Sequence, residues 1–404
     1  MPVEAQVSNS TTEIQLIDRG SHPQSLWVLM ARLQQLFCKL LIAWIRAQQE
    51  RVLEARLGAK WQPLPESLRQ MSCPDCGSVA IRRKCWRERS VTTRRWGTLS
   101  IPRRQLTCSD CGHTWMPFDE ELKLPRGRFS PGVLHQAISH ATWVSYQKAA
   151  EACEAAISAA TVRRRLLETA PTPSQQKAHT GESDATKVPA WRQADTQLEV
   201  SVVHAIGPFP SDRPRRLRWL LGTTAGSETD VKPLLAERSI QTLIHDGSLA
   251  LEGYADHVVR CRWHVPYTVG FLLYRDQITG DENKARVRKL RQITGNKNLS
   301  PAVLLNKLNG WLAANVDAPM AQAHVRGARL GLFLLATPYV NSWSETTSHV
   351  EREMREINKR FENGGGWTAR GAGAMLAHHQ LRRCEPKNWN QQLHEKLKST
   401  LLLD

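Results

Sequence analysis

The sequence predicts an α/β protein assembled in blocks, and three observations carry that prediction. Strand-like runs at 181–184, 198–206, 217–222, 242–245 and 257–260 are interleaved with helical stretches, the order expected of a mixed sheet with helices packed on it. Helical periodicity dominates 25–57, 129–170 and most of 262–361. Two matched Cys-x-x-Cys pairs bracket a short β-rich segment within 67–120. A chain of 404 residues has room for two to four domains at roughly 100–200 residues each. Its 41% apolar and 23% charged residues exclude wholesale disorder and a collagen-like chain.

Residues 1–22 are polar. Leu26, Leu29, Leu33, Phe37, Leu41, Trp44 and Ile45 then recur at three- and four-residue spacing, which predicts a helix that Gly58 ends. Its apolar face is broad in the first half, so it suits an oligomerisation helix as well as packing on its own domain. Arg32, Gln34, Gln35 and Lys39 interrupt the most apolar stretch, 26–45, which therefore does not read as a membrane span. The N-terminus has no basic segment leading into an apolar core and does not read as a secretory signal. A cytoplasmic protein with no membrane partner is expected.

Pro63 and Pro65 mark a boundary. Beyond them, β-type runs at 79–83, 87–96 and 98–106, with Gly97 at a turn, lie between Cys73/Cys76 and Cys108/Cys111. Gly77 and Gly112 follow the second cysteine of each pair and permit a tight turn that directs N–H groups at sulfur. Four thiolates at about 2.3 Å close a tetrahedral Zn²⁺ site with no open position, so a structural zinc ribbon is expected. The other five cysteines, Cys38, Cys85, Cys153, Cys261 and Cys384, are scattered, which speaks against a secreted disulfide framework.

Charge points to a polyanionic partner. Lys and Arg number 55 against 38 Asp and Glu, a net +17 with a pI near 9.8. The segment between the cysteine pairs holds Arg82, Arg83, Lys84, Arg87, Arg89, Arg94, Arg95, Arg103 and Arg104 against the single acid Glu88, with Trp86 and Trp96 among them. These cations are candidates for phosphate contacts. The helical stretch 144–156, a short break, and a second helix with Ser158 as N-cap read as a helix-turn-helix. Arg163 and Arg164 on the second helix are candidates at base edges. Composition shifts thus divide the chain into an N-terminal helical region (1–66), the zinc ribbon (67–120), the helix-turn-helix (121–170) and a mixed domain (171–404), entered through a linker that begins at Pro171 and Pro173.

In that last domain Asp184 and Asp246 end strand-like runs, and Glu351 lies on a helix. Such acids can converge at the edge of a sheet and hold two divalent cations about 3.5–4 Å apart. The same residues read equally as solvated acids and helix caps, and Asp246 before Gly247 can simply start a helix.

The block Thr347-Ser348-His349-Val350-Glu351-Arg352-Glu353-Met354-Arg355-Glu356 resembles the C-terminal signature of Mutator-like DDE transposases, where a helix carries a catalytic Glu, an Arg and a further Arg-Glu pair, here Arg355-Glu356. Asp246-Gly247, followed by Cys261-Arg262-Trp263-His264, resembles the second Asp and the Cys-x-x-His element of that superfamily, and Asp184-Ala185-Thr186 its first Asp block. The resemblance covers about 180–375, and the zinc ribbon suits bacterial insertion-sequence members. It implies a ribonuclease-H-like mixed sheet with a helical insertion at about 276–337. It also implies Asp184, Asp246 and Glu351 as ligands of Mg²⁺ or Mn²⁺. Cys261 and His264 are expected to orient the catalytic region from behind those ligands. The implied partners are double-stranded DNA, as transposon inverted repeats and as target, and other copies of the chain on that DNA, in the bacterial nucleoid. The implied activity is cleavage and strand transfer; a transposon-derived DNA-binding protein with its catalysis lost is the alternative.

Overall fold

The computed structural model describes residues 4–7, 14–17, 25–121, 127–153, 155–173, 180–191, 197–207, 218–226, 228–236, 240–246, 254–336, 348–362 and 366–397. Gly247, where a helix could start, Thr347 with the rest of 337–347, and most of the linker after Pro173 lie outside the described residues. The protein is mixed α/β with a long N-terminal helix. It divides into two compact units, 1–136 with 153–157 and 397–404, and 137–152 with 158–396. The expected N-terminal helix and cysteine segment share the first unit; the expected helix-turn-helix pair belongs with the sheet in the second.

In the first unit, β1 (Glu4–Val7) pairs with β2 (Ile14–Ile17), and α1 (Ser25–Leu57) follows. Gly58 ends α1 at φ +86°, where a Cβ would fall 2.3 Å from the Leu64 amide nitrogen, so only glycine fits. Short strands β3 (Gly58–Ala59) and β4 (Gln62–Pro63) make the turn. β5 (Ile81–Thr93), β6 (Gly97–Cys108) and β7 (Thr114–Trp115) form an antiparallel sheet, with Gly97 at φ +67° in the β5–β6 turn. α1 packs along it: Ile45 joins Val91, Leu99 and Ile101, and Leu53 and Leu57 join Ile81, Leu106 and Phe118 of α2 (Phe118–Glu121). The Gln49 amide donates to Pro102 O (2.7 Å) and accepts from Arg104 N (2.8 Å), satisfying the edge of β6. An 18-residue window of α1 reaches a mean hydropathy of 1.5 and is 6% buried, so by length and composition alone it could cross a membrane.

α3 (Pro131–Ala141) leads to α4 (Tyr146–Glu151) and α5 (Ala159–Glu168). Ser145 and Ser158 cap α4 and α5 by accepting from Lys148 N and Thr161 N. The sheet of the second unit has five strands: β8 (Thr180–Pro189), β9 (Gln197–Ile206), β10 (Arg218–Gly226), β11 (Thr242–His245) and β12 (His257–Arg260). Their order is β10-β9-β8-β11-β12, and β9 alone runs against the rest. One face is covered by Val231 and by Leu235 of α6 (Lys232–Ala236), packed on Val203, Ala205, Leu221 and Leu243. The other carries α11 (Ser348–Glu362) and α12 (Ala369–Cys384).

Between β12 and α11 stand α7 (His264–Arg275), α8 (Gly280–Gly295), α9 (Pro301–Ala313) and α10 (Pro319–Leu335). They share one apolar core, Val269, Leu273, Leu290, Leu308, Trp311 and Leu332 among them. The helical block therefore starts at His264, earlier than the expected 276, because Val265, Val269 and Leu273 already face its core. α10 lies close on β12: a Cβ on Gly331 would sit 3.2 Å from Val259 Cα. α13 (Pro386–Leu397) closes the described chain.

Candidate active site and metal centre

β8 and β11 pair in parallel with Ile244 opposite Glu182. Two residues further on, Asp246, just past the end of β11, and Asp184, inside β8 rather than at its end, therefore fall side by side on the same face, because strand side chains alternate with period two. α11 brings the third acid. Its Val350 N–H donates to Glu182 Oε2 at 3.3 Å, and Thr186 Oγ1 bonds Asn358 Oδ1 at 3.0 Å. Eight helical residues rise about 12 Å, and four strand residues span about 13 Å, so the two ties hold α11 alongside β8 in the same direction. Glu351 falls between them, next to Asp184. The buried Glu182 carboxylate also lies at the positive end of the α11 dipole.

The electrostatics follow from this crowding. Burial, then the neighbouring Asp246, push the Asp184 carboxyl up to about 7, and Glu351 adds to the rise; the Ala185 N–H and His264 pull the other way. His264 Nδ1 stands 3.6 Å from Glu351 Oε1. The hydrogen bond to Cys261 leads the forces that raise His264 to about 9 against its desolvation, with the charges of Cys261, Glu351 and Asp184 helping. Cys261 is fully buried, and its carbonyl accepts from His264 N (3.0 Å) and Val265 N (3.2 Å), fixing the start of α7. One ligand atom each from Cys261, His264 and Glu351 lie within 4.8 Å of one another. Asp184, Asp246, Glu351, Cys261 and His264 thus form one neighbourhood: oxygen donors suited to a hard cation, backed by a cysteine–histidine pair.

Two further acids of α11 have different work. Glu353, fully buried, accepts two hydrogen bonds from Arg383, Nη2 at 3.0 Å, with Arg218 Nη1 at 3.5 Å. Burial acts to raise its carboxyl, but the Arg383 bonds and charge, with His204 and Arg218, hold it below the usual carboxylate range. Glu356 pairs with Lys359 at 2.9 Å. Neither Glu182 nor the Glu353–Arg383 pair was singled out from sequence. The period-two spacing of Glu182 and Asp184 was the available signal for the first; the second joins residues 30 apart on two helices.

Cys73, Cys76, Cys108 and Cys111 lie together, all four sulfurs within 4.8 Å. Cys73–Cys111 and Cys76–Cys108 are each 3.7 Å apart. A tetrahedron with bonds of about 2.3 Å to sulfur has edges of about 3.8 Å, so the four can hold a structural metal such as zinc. Gly77 (φ +74°) and Gly112 (φ +73°) make the two turns, and their N–H groups donate to Cys73 O and Cys108 O. Thiols this close cannot all ionise alone. Cys108 is lowered to about 7, first by the Cys111 N–H, while Cys111 is raised to about 12, the other three thiols and burial outweighing its bond from the His113 backbone.

The basic segment divides. Arg83 turns inward, its Nη2 donating to Gly58 O at 2.6 Å with Glu50 at 3.9 Å, and Arg104 also faces Glu50 at 3.6 Å. Arg89 and Arg103 share Asp119 at 3.4 and 2.8 Å. These four serve the fold, so Arg83 leaves the set available to a partner. Arg82, Lys84, Arg87, Arg94 and Arg95 are exposed. Arg163 and Arg164 are exposed on α5, whose Val162 and Leu166 are buried, and Arg164 stands 3.9 Å from Glu168.

A scan against protein-family models finds no match to this sequence, and a search of curated proteins finds none.

Proposed function

We propose that this protein is a DDE-type DNA transposase, which binds the ends of an insertion sequence and catalyses metal-dependent strand cleavage and strand transfer. The observation that carries the reading is the meeting of Asp184, Asp246 and Glu351 on one face of the sheet, where burial, and then the crowding of the acids, raise Asp184 to about 7. The strand order, third-second-first-fourth-fifth with the second reversed, supports a ribonuclease-H-like core, and α7–α10 suit the helical insertion before the last acid. The cysteine cluster on its three-stranded sheet supports a zinc ribbon.

Asp184, Asp246 and Glu351 would hold Mg²⁺ or Mn²⁺, which when bound activates the attacking oxygen and stabilises the leaving one. The remaining work belongs to the chain. Glu182 and Asn358 fix α11 so that Glu351 meets the sheet. His264 pairs with Glu351 and limits its rotation. The exposed cations of β5 and of the β5–β6 turn grip phosphates, and α5 presents Arg163 and Arg164 to a groove. Water is the nucleophile for cleavage and the freed 3′ oxygen for joining, so no covalent link between protein and DNA is required.

The test is Mg²⁺-dependent nicking and joining of supercoiled DNA carrying the sequences that flank the gene. Wild-type protein should cleave at the ends; Asp184→Asn should bind the same DNA and leave it intact. Cleavage by Asp184→Asn at the wild-type rate overturns the assignment. Binding without cleavage by the wild type would favour the DNA-binding alternative.

A further inference from the structure

The helix that begins at the catalytic neighbourhood carries an exposed aromatic stripe. Trp263, immediately before α7, is 52% exposed; Tyr267 is 74%, Phe271 62% and Tyr274 64% exposed. Their spacing of four, four and three residues puts them on one face of a helix. Most large apolar residues of α7, Val265, Val269 and Leu273, are buried on the opposite side, so this stripe is not the outer rim of a core.

α8 packs antiparallel along α7. A Cβ on Gly270 would stand 3.3 Å from Val287, Asn283 Nδ2 donates to Gly270 O at 2.9 Å, and a Cβ on Gly295 would stand 3.9 Å from the Trp263 ring. On one flank of this contact line, Leu273 of α7 and Leu290 and Ile293 of α8 enter the four-helix core. The other flank is open. At 100° per residue, α7 turns its aromatic stripe to that flank, and α8 turns Lys284, Arg288 and Arg291 to it, all three exposed. Antiparallel packing sets Arg291 beside Tyr267, Arg288 beside Phe271 and Lys284 beside Tyr274. Arg275 already lies over the Phe271 ring at 5.8 Å. Arg288 and Arg291 form no ion pair among the described residues.

We infer that this surface is a binding platform for unpaired DNA, with bases stacked on Tyr267, Phe271 and Tyr274 and phosphates held by the α8 cations. A row of rings beside a row of cations is the chemistry that recognises single strands without regard to sequence. The rings recur every 4.5–6 Å along the helix at about 1.5 Å per residue, longer than the repeat of about 3.4 Å per nucleotide along the axis of a duplex. A strand must therefore be unpaired and extended to place successive bases on them. A protein partner for an aromatic face would not call for a flanking row of cations; a polyanion does. The platform starts at Trp263, adjacent to His264, which is 3.6 Å from Glu351. On the transposase reading, on which this assignment of the strand rests, it receives DNA opened at the cleavage point.

The experiment measures anisotropy of a labelled oligothymidylate and of a duplex of equal length with the full-length protein, across a salt series. Wild type should bind the single strand, and Tyr267→Ala/Phe271→Ala should lose affinity for it by roughly tenfold or more per ring removed while duplex affinity changes little. Arg288→Glu/Arg291→Glu should weaken single-strand binding and flatten its salt dependence. Both pairs are exposed, so unchanged thermal unfolding confirms that the fold is intact. Wild-type affinity in the Tyr267→Ala/Phe271→Ala variant overturns the platform, as does a change confined to oligomeric state in sedimentation, which would make the stripe an interface between copies. Asp184→Asn separates the two proposals: it should keep full single-strand binding while losing cleavage.

Discussion

Helix α11 carries three carboxylates within six residues, and their surroundings demand three different outcomes on neutralisation. Glu353→Gln removes the charge that Arg383 and Arg218 face in the interior. Breaking a buried pair costs about 3–5 kcal/mol. The arginine side chains keep 26% and 27% exposure, so solvent relieves part of the loss and the lower figure, about 3 kcal/mol, applies. For a unit of this size, about 2–4 °C per kcal/mol gives a melting point lower by about 6–12 °C. Glu351→Gln should behave oppositely: it withdraws a negative charge from a site where Asp184 is already pushed up to about 7, so thermal stability holds or rises while Mg²⁺-dependent cleavage disappears. Glu356→Gln, at an exposed pair with Lys359, should change neither. Circular dichroism melts and the nicking assay on the same three proteins decide. A Glu353→Gln melt within about 2 °C of wild type, or cleavage retained by Glu351→Gln, would refute the division of roles.

Chelation or Cys108→Ser should release one zinc per chain, measured with a chromogenic chelator, and lower the unfolding temperature of the first unit, whose sulfurs otherwise crowd at 3.7 Å. Stability should also depend on pH. His204, His378 and His379 are fully buried, and burial depresses them to about 4, 3 and 4. Above about pH 7 folded and unfolded chains are both neutral at these rings. Below the unfolded value of about 6.5 only the unfolded chain takes up protons, so stability falls from there towards pH 4, by up to about 4 kcal/mol per pH unit for three rings. Urea unfolding at pH 7.5 and 5.5 measures it, and equal midpoints would contradict the burial of these histidines. Gly331→Ala gains about 1 kcal/mol of helix propensity but drives a methyl against Val259 Cα at 3.2 Å, where overpacking costs about 1–3 kcal/mol. A lower melting point and slower cleavage are expected, because β12 leads directly to Cys261 and His264; a higher melting point would show that α10 gives way freely.

The parts legible in the sequence are those whose chemistry is local. Each cysteine pair and its glycine form a complete knuckle within five residues, and Ser158 caps α5 through a bond to Thr161 three residues on. Asp246 does follow the end of its strand, but the run read as ending at Asp184 continues to Pro189, because residues 185–189 go on pairing with β9. Contacts between distant segments were not legible. Arg83, Arg89, Arg103 and Arg104 read as one basic run, yet Glu50 and Asp119 divide them between α1 and α2. A charge run carries no mark of which members turn inward, because that depends on a β-bulge between Arg83 and Trp86 that shifts the faces of β5. The start of the helical block was misplaced for a similar reason. The stripe Val265, Val269, Leu273 declares a helix, but only its packing on α8 and α10 shows that it belongs to the inserted core.

The polar residues behind Glu351 raise the question of why a carboxylate near solvent needs so buried a scaffold. An apolar contact surface would hold α11 to the sheet at lower desolvation cost, but apolar contacts slide, and a slip of one residue would rotate Glu351 by 100° away from Asp184. Directional ties prevent the slip. Glu182 fixes the first turn, Arg383 clasps Glu353, Thr186 meets Asn358, and Arg360 closes the series by donating its Nε–H to Ala141 O at 2.8 Å. Arg360 is the costliest of these. Its two terminal nitrogens have no hydrogen-bond acceptor among the described residues, and burial lowers its pKa. Tyr146 at 5.2 Å and Trp367 at 5.0 Å from the guanidinium carbon supply aromatic faces in place of carboxylates, each contributing about 1–2 kcal/mol when desolvated. The choice has electrostatic sense. A carboxylate partner would itself have to be desolvated beside Arg360, whereas the rings anchor the cation without burying a second charge.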